Sequence, residues 1–339
     1  MSSPAAERPA SEPILEIEDL RKRFVMARSP LQWARRQPPR VLTAVDGVSL
    51  ELRRGEVLGV VGESGCGKTT LARCVMRLAE PDEGSIRLDG SDLLALSRSE
   101  LRGARKRIQM VFQDPYASLN PRMTIGAAIG EAARVHRLVD AGGEQRYVAE
   151  LLELVGLPAS ASERLPKALS GGQRQRAVIA RALALKPDVL IADEAVSALD
   201  VSIQAQILGL LRELTDELGL ATLFIAHQLA VIAQISDSVA VMYLGQVVEQ
   251  GPTASVFRAP RHPYTRALLD AHPDPSVVKR RDAPAVAGDV PSPLQMPSGC
   301  RFHTRCPYAE ERCLQPPPLL DVGAGHRARC VVLPFGSDG

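Results

Sequence analysis

The chain has 339 residues, enough for about two domains, one large and one small. Hydrophobic residues make up 45% of the sequence and charged residues 24%, which excludes a disordered or collagen-like chain. The 41 Lys and Arg residues nearly balance the 39 Asp and Glu residues, and a net charge of +2 argues against a dedicated nucleic-acid-binding protein. The sequence has no run of 18 apolar residues and no secretory signal pattern, so we expect a cytoplasmic protein.

The N-terminal part combines a polar tail with two strand patterns. Residues 1–13 are rich in Pro, Ser and Ala and predict a flexible tail. Residues 14–18 alternate apolar and acidic side chains, and residues 45–52 return to a strand pattern. Between them, residues 21–40 carry seven basic and no acidic side chains, which predicts an exposed insertion.

The rest of the chain alternates between predicted strands and helices. Short apolar runs predict buried strands at 57–61, 189–192 and 222–226. Turn signals predict hairpins at 85–90 and 239–251. Helical spacing is found at 70–78, 125–138, 147–155, 174–185 and 202–218. Residues 114–170 form a predicted helical insertion. After residue 260, proline density rises and periodicity ends, which predicts an irregular extension.

A phosphate-binding loop is the strongest chemical motif. It has the pattern G-x-x-x-x-G-K-[ST], lies between a predicted buried strand and a predicted helix, and reads Gly62, Glu63, Ser64, Gly65, Cys66, Gly67, Lys68, Thr69. Its glycines let backbone N–H groups turn towards phosphate oxygens, and the next helix directs its N-terminus at the same charge. Lys68 would reach the β- and γ-phosphates and Thr69 would bind Mg²⁺, with Thr70 also at the nucleotide. A chance glycine-rich turn is the alternative.

Two adjacent carboxylates supply the groups that would bind Mg²⁺ and activate water beside the phosphate-binding loop. Asp193 follows the apolar run 189–192, at a strand end where it can hold Mg²⁺ through water. Glu194 comes next and is placed to polarise an attacking water. The alternative for Glu194 is a solvated acid near the metal.

A second anion-binding motif precedes the predicted helix at 174–185. It is a short glycine turn made of Leu169, Ser170, Gly171, Gly172 and Gln173. Exposed N–H groups, the Ser170 hydroxyl and the helix dipole together favour an anion. A simple helix N-cap is the alternative interpretation. With the phosphate-binding loop, one chain then carries two phosphate-binding devices.

Together these motifs resemble those of the ATP-binding cassette (ABC) ATPases. The resemblance implies an α/β P-loop NTPase fold with a RecA-like mixed-sheet core, an antiparallel β-subdomain and a helical subdomain at about 114–170. It also implies catalytic roles for Glu194, Lys68, Gln113 in the Q-loop and the switch histidine His227, with Gln113 near Mg²⁺. In the family two cassettes face each other, so the motif at 169–173 and Asp200 of the D-loop (residues 197–200) would contact the partner's nucleotide.

Two positions need separate comment. Adenine requires an aromatic platform, and only Phe24 and Trp33 precede the phosphate-binding loop. Phe24 stands where the family carries its stacking aromatic, although a core role is the alternative. The family usually has Pro after the catalytic Glu, and this chain has Ala195. Proline stiffens a turn, so Ala195 puts activity slightly in question without removing a chemical group.

Further segments resemble the ATP-binding subunits of bacterial oligopeptide and dipeptide importers, and the insertion with Trp33 resembles the second of their two cassettes. These segments are Gln113-Asp114-Pro115, Ser118 to Arg122, 197–206, 262–268, 291–293 and 297–300. The resemblance implies an ATPase domain at 14–258, an extension at 259–339, and a peripheral position at the cytoplasmic face of the inner membrane. Implied partners are a paralogous second ATPase subunit, two permease subunits and an external substrate-binding protein.

Three alternatives in function stay open at this stage. The same machinery could import nickel or another small solute instead of peptides. A soluble ABC ATPase acting on nucleic acid or ribosomes would use the basic residues 21–40, which otherwise form a solvated loop or contact the permease or anionic headgroups. Such proteins usually carry two cassettes or a coiled-coil insertion, and this chain has neither. An exporter usually fuses its cassette to membrane helices.

Four cysteines crowd the last 40 residues: Cys300, Cys306, Cys313 and Cys330. Four thiolates can surround one soft metal or one cluster. The spacing lacks a C-x-x-C knuckle, which argues against structural zinc. The importer ATPases share this four-cysteine pattern, and the resemblance implies a [4Fe–4S] cluster, with Zn²⁺, free thiols or an oxidised pair as alternatives. Cys66 and Cys74 are excluded, because they lie in the phosphate-binding loop and on its helix.

Overall fold

The computed structural model describes residues 12–26, 28, 38–114, 118–140, 142–197, 199–271 and 288–333. Residues 1–11 of the predicted tail, most of the predicted insertion with Trp33, and Pro115 and Ala198 of the quoted motifs lie outside the described residues. In the part of the chain that is described, no helix is both long enough and apolar enough to cross a membrane.

The strands form two sheets. An antiparallel sheet has the order β2-β1-β4-β5, and a mixed sheet of the described residues has the order β11-β12-β10-β9-β3-β8-β7-β6. The strands are β1 (Pro13–Val25), β2 (Val41–Arg53), β3 (Val57–Val61), β4 (Glu83–Leu88), β5 (Ser91–Asp92), β6 (Ile108–Val111), β7 (Val189–Asp193), β8 (Ala221–Ala226), β9 (Ser238–Tyr243), β10 (Gln246–Pro252), β11 (Leu320–Gly323) and β12 (His326–Ala328).

Helices cover the mixed sheet and form a separate helical region. They are α1 (Lys68–Val75), α2 (Arg98–Arg107), α3 (Ile125–Val135), α4 (Glu144–Leu154), α5 (Gly171–Leu183), α6 (Val201–Leu218), α7 (Leu229–Ile235), α8 (Thr253–Arg258) and α9 (Pro263–Ala271). The helical region predicted at 114–170 contains α3 and α4. Thr124 caps α3, and Gly156, which follows α4, has φ +68°.

The centre of the mixed sheet is parallel, and this positions the site. β9, β3, β8, β7 and β6 are neighbours in that order and run the same way. Side chains of β3 alternate between two hydrophobic cores: Val57 and Val61 face one core, and Leu58 and Val60 face the other. Because parallel strands end at one edge, the loops after β3, β8, β7 and β6 meet there.

The C-terminal extension is more regular than the sequence predicted. α9 forms where an irregular segment was expected, and β11 and β12 make a hairpin that joins the mixed sheet beside β10. Phe302 of the extension belongs to the same hydrophobic core as Val57 and Val61. Strands of three or four residues are too short to show a period, so the sequence pattern could not reveal them.

The predicted basic insertion also begins later than expected. Arg21, Lys22 and Arg23 lie within β1, where acidic side chains of the neighbouring segments pair with them. The prediction was wrong for residues 21–25, which lie in β1, because ion pairs with neighbouring segments compensate the run of like charges at its start.

Candidate nucleotide site

The phosphate-binding loop connects fully buried β3 to α1, as the sequence predicts. Gly67 immediately precedes α1 with φ +109°, and a Cβ atom there would lie 2.0 Å from the Ala44 carbonyl oxygen. A Cβ atom on Gly62 would lie 2.1 Å from the Met242 carbonyl oxygen. Both approaches exclude a side chain, so these glycines are required by packing as well as by the turn.

Lys68 is buried and turned back into the loop. Its ammonium group donates to the Gly62 carbonyl at 2.8 Å and to the Glu63 carbonyl at 3.0 Å. The positive charge therefore lies inside the curve of the loop, where a phosphate group would meet it. Burial raises the pKa of the Cys66 thiol, which keeps this loop side chain neutral.

Asp193 and Thr69, the predicted magnesium ligands, are in contact with each other. Thr69 Oγ1 donates to Asp193 Oδ1 at 3.2 Å, which brings the end of β7 against the start of α1. Burial raises the pKa of Asp193, the Thr69 hydrogen bond opposes this shift, and the charge of Glu194 adds to it. A divalent cation would favour the ionised carboxylate here. The hydroxyl and carboxylate oxygens fit the oxygen ligands that Mg²⁺ prefers.

Glu194 is the meeting point of three strand ends. Gln113, after β6, donates its side-chain N–H to Glu194 Oε2 at 2.7 Å, and His227 Nδ1, after β8, lies 3.9 Å from the same oxygen. Glu194 has φ +49°, and its N–H donates to the Ile225 carbonyl at 2.9 Å. The Gln113 amide thus contacts the predicted base, and its place beside Mg²⁺ stays a prediction.

The motif at 169–173 opens α5. Ser170 Oγ accepts a hydrogen bond from the Gln173 N–H at 3.3 Å, and Gln173 Oε1 accepts from the Ser170 N–H at 3.1 Å. This is a reciprocal capping box, so the N-cap interpretation is confirmed as the local structure. Leu169 is buried, and a Cβ atom on Gly172 would lie 2.6 Å from Ile203 Cγ2 of α6.

Two further predicted site residues lie on other elements. Asp200 precedes α6 at its N-cap position, without a capping hydrogen bond from its side chain. Phe24 lies near the end of β1 with 39% of its surface exposed, and Lys22 Nζ is 5.2 Å from its ring centroid. Adenine stacking on Phe24 stays a prediction, as does the contact of Asp200 with a partner's nucleotide. Ala195, in place of the usual Pro, is buried.

The structure adds two residues that the sequence did not indicate. Tyr264 accepts a hydrogen bond from the Glu63 N–H at 2.9 Å, and Arg305 pairs with the Glu63 carboxylate at 3.2 Å. Both belong to the C-terminal extension and lie 201 and 242 positions from Glu63. No motif spacing signals a contact at such separations.

The four C-terminal cysteines line one small cavity together with His262 and Phe302. Burial raises the pKa of the thiols of Cys300 and Cys330, and raises that of Cys306 to about 11. Within the described ranges, no three His, Cys, Asp or Glu residues are grouped so that they could hold a metal ion. The cysteines are therefore brought together, but without the geometry of a metal site.

Fold and site together define a P-loop ATPase of the ABC class. The phosphate-binding loop, Asp193, Glu194, Gln113 and His227 meet at one edge of a mixed sheet, and the capped motif at 169–173 stands on the helical region. Residues 45–197 match the ABC transporter family, and residues 248–313 match the C-terminal region of oligopeptide/dipeptide transporters.

Similar proteins cover nearly the whole chain. A probable peptide ABC transporter ATP-binding protein of Sinorhizobium fredii is 48% identical over 95% of this chain and 90% of its own. The oligopeptide transport ATP-binding protein OppF of Salmonella typhimurium is 49% identical, over 94% of this chain and 96% of its own.

Solved structures agree in fold. The protein cbiO1 of Clostridium perfringens, part of an ABC transporter complex, superposes with a TM-score of 0.63 at 28% identity, over 73% of this chain and 92% of that chain. The dimeric cassette MJ0796 bound to ADP and phosphate gives 0.61 at 26% identity, over 70% of this chain and 98% of that chain. The chain belongs to the ABC transporter ATP-binding proteins that carry the oligopeptide/dipeptide transporter C-terminal region, and it is an ABC-type ATPase.

Proposed function

We propose that this chain hydrolyses ATP to drive peptide import through separate permease subunits, from the cytoplasmic face of the inner membrane. The observation that carries the proposal is similarity to peptide transport ATP-binding proteins over 94–95% of the chain, C-terminal extension included. Its partners are a paralogous ATPase subunit, two permease subunits and an external peptide-binding protein. Nucleic acid is not among them.

In the proposed mechanism, the phosphate-binding loop and Lys68 bind the phosphates of ATP. Thr69 and Asp193 would hold Mg²⁺, and the ion would supply positive charge beside the phosphates. Glu194 accepts a proton from the attacking water, and the Gln113 hydrogen bond fixes the orientation of its carboxylate. His227 lies close enough to Glu194 to contact the γ-phosphate beside it.

The second half of each site comes from the partner cassette. Ser170 and the N–H groups of Gly171 and Gly172 stand at the N-terminus of α5, where the helix dipole favours an anion. In a closed dimer these groups contact the partner's γ-phosphate, with Asp200 beside them. ATP binding closes the pair, and hydrolysis reopens it.

For the four cysteines, a [4Fe–4S] cluster rests on the family resemblance alone, because the described residues show no grouping that could hold a metal ion. A single zinc ion needs sulfur atoms about 2.3 Å from one point, and the cysteines are not arranged for a single ion. The thiolates of Cys300, Cys306, Cys313 and Cys330, which line the cavity, would hold the proposed cluster. Its role is to hold a proline-rich segment in place. Anaerobic purification with visible absorption and with iron, sulfide and zinc analysis tests this, and colourless protein without iron contradicts it.

Reconstitution of the intact complex tests the main proposal. Permease subunits that co-purify with this chain are placed in proteoliposomes with the binding protein, and ATPase activity and uptake are both measured with a peptide mixture or with nickel. Stimulation by peptide and loss of uptake with Glu194→Gln are expected, with Glu217→Gln on the exposed surface of α6 as the matched control. Stimulation by nickel alone would reassign the cargo, and absence of permease subunits would contradict the transport role.

A further inference from the structure

Glu63, the second residue of the phosphate-binding loop, is held at three points. Its N–H donates to Tyr264 Oη at 2.9 Å, and its carbonyl accepts from Lys68 Nζ at 3.0 Å. Its carboxylate pairs with Arg305 Nη1 at 3.2 Å. Two of these three contacts come from the C-terminal extension, so a segment outside the ATPase core restrains the loop that binds phosphate.

Tyr264 and Arg305 are themselves fixed by an aromatic cluster. The Tyr264 ring lies 4.6 Å from the Tyr243 ring and 5.5 Å from the Phe302 ring, and all three side chains are almost completely buried. The Arg305 guanidinium lies 5.9 Å from the Tyr243 ring centroid and 5.7 Å from that of Phe302. Such packing favours a single rotamer for each group, and therefore a single position for the Glu63 peptide.

The electrostatics of the contact are compatible with this restraint. Burial opposes the charge on Arg305, but hydrogen bonds to Tyr243 and Glu63 outweigh it and raise the pKa of Arg305. Burial raises the pKa of Tyr264, so its hydroxyl stays neutral and accepts from Glu63. The Arg305 guanidinium therefore keeps its charge throughout the physiological range.

A second connection runs from the extension to the other side of the loop. Arg301 donates to the Leu244 carbonyl and pairs with Asp46. The next residue, Gly245, donates its N–H to the Cys66 carbonyl at 2.8 Å. The extension thus reaches the loop directly at Glu63 and, through the turn between β9 and β10, at Cys66.

We propose that Tyr264 and Arg305 are positioning residues that hold the Glu63 peptide in its phosphate-binding conformation, so that the C-terminal extension sets the affinity for nucleotide. The inference rests on the role of the phosphate-binding loop given under the proposed function. The N–H groups of such a loop bind phosphate only when several of them point inwards together. A loop that loses its outer contacts samples other conformations, and ordering it again weakens binding.

A simple tether would use the same contacts differently. If Tyr264 and Arg305 only attach the extension to the core, their loss lowers the melting temperature and leaves the nucleotide dissociation constant unchanged. A positioning role changes both quantities, and its effect depends on Glu63. The two cases are therefore separated by a binding measurement made alongside a melting measurement.

The experiment uses the full chain and titrates it with Mg·ADP. Tyr264→Phe and Arg305→Met are each expected to weaken binding about 5-fold, the effect of losing roughly one hydrogen bond. Arg305→Lys, which keeps the charge, should recover part of the affinity. In a double-mutant cycle, Arg305→Met should add little to Glu63→Gln, because both remove the same ion pair.

Matched controls come from the same chain. Tyr147 donates its hydroxyl to the Ala184 carbonyl at 2.8 Å in the helical region. Arg329 of the extension donates to the Val247 carbonyl of β10 and to the Pro317 carbonyl. Tyr147→Phe and Arg329→Met should lower the melting temperature and leave ADP affinity unchanged.

If Tyr264→Phe and Arg305→Met bind ADP with unchanged affinity while Lys68→Ala cannot bind it, the positioning role is wrong. The assignment of the phosphate-binding loop would still stand. Normal binding by Lys68→Ala would overturn the assignment of the loop itself. An equal loss of affinity in the controls would also count against positioning, because it would show that any destabilisation weakens binding.

Discussion

The two phosphate-binding devices of this chain are built in opposite ways. The phosphate-binding loop is enclosed: Lys68 is 4% exposed, and β2, the turn after β9 and the C-terminal extension all contact the loop. The motif at 169–173 has its polar end at the surface, with Ser170 and Gly171 exposed. The chain therefore encloses one motif and leaves the other exposed, where the proposed partner cassette would meet it.

Because of this difference, nucleotide binding and ATP hydrolysis can be tested separately. Changes in the enclosed loop should affect nucleotide binding by one isolated chain, because all the groups involved belong to it. Changes at the exposed motif should leave that binding intact and affect hydrolysis, which requires the partner. The predictions below test this division, beginning with the largest effect.

Lys68→Ala should lower nucleotide affinity by about 100-fold or more, since it removes the charged group aimed at the phosphates. The fold should persist, because the carbonyls of Gly62 and Glu63 that Lys68 contacts can be hydrated once the side chain is gone. Calorimetric titration with ATP and far-ultraviolet circular dichroism check both expectations. Lys167→Ala, at an exposed position in the helical region, is the control and should bind normally. Near-normal binding by folded Lys68→Ala would exclude the loop as the nucleotide site.

Glu194→Gln should lower ATP hydrolysis by about 100-fold while ATP binding persists, the usual size of a lost general base. The amide keeps the shape of the side chain, so the contact with Gln113 can be kept and the base function alone is removed. The variant should accumulate as a closed, ATP-bound dimer, seen by size-exclusion chromatography with the partner cassette. Hydrolysis at the parental rate would show that another group activates the water.

Asp193→Asn should lower the affinity of the ATP-bound protein for Mg²⁺ by about 10-fold, because it removes one charged ligand. The raised pKa of Asp193 gives this prediction a pH dependence. As pH falls, Asp193 takes up a proton earlier than an ordinary Asp, so Mg²⁺ affinity of the parent should fall first and that of the variant should change less.

Asp193→Asn should lower the affinity for Mg²⁺, but it should raise the stability of the protein when Mg²⁺ is absent. A carboxyl whose pKa is higher in the folded state disfavours folding above that pKa, and the penalty disappears as pH falls through it. Asp193→Asn should therefore raise the melting temperature at neutral pH without Mg²⁺. A lower melting temperature there would show that the carboxylate is stabilising, contrary to the direction of its pKa shift.

The sequence predicted the phosphate-binding loop and the strand ends around it well, because local signals determine them. A short apolar run, a glycine turn and a helix are each visible in a few residues, and parallel strand ends bring Asp193, Glu194 and His227 to one edge. The contacts of Tyr264 and Arg305 with Glu63 could not be predicted, since they join distant residues without a spacing rule. The hairpin of β11 and β12 was missed because its strands are too short for a period.

Ser170→Ala should have the smallest effect and tests the exposed device most cleanly. The chain contains a matched control, because Ser97 forms the same kind of capping box, with Glu100, at the start of α2. Either serine-to-alanine change should cost about 1 kcal/mol of cap energy. That loss lowers the melting temperature by about 2–4 °C in a domain of this size.

Only Ser170→Ala should also reduce ATP hydrolysis by the assembled pair of cassettes, by about 3-fold, the effect of one hydrogen bond to the partner's nucleotide. ATP binding by the isolated chain should be unchanged in both variants, since neither serine lies in the phosphate-binding loop. Equal hydrolysis by Ser170→Ala and Ser97→Ala would mean that Ser170 is a helix cap and nothing more. The N–H groups of Gly171 and Gly172 and the dipole of α5 would then be the groups of this motif that are left to contact the partner's nucleotide.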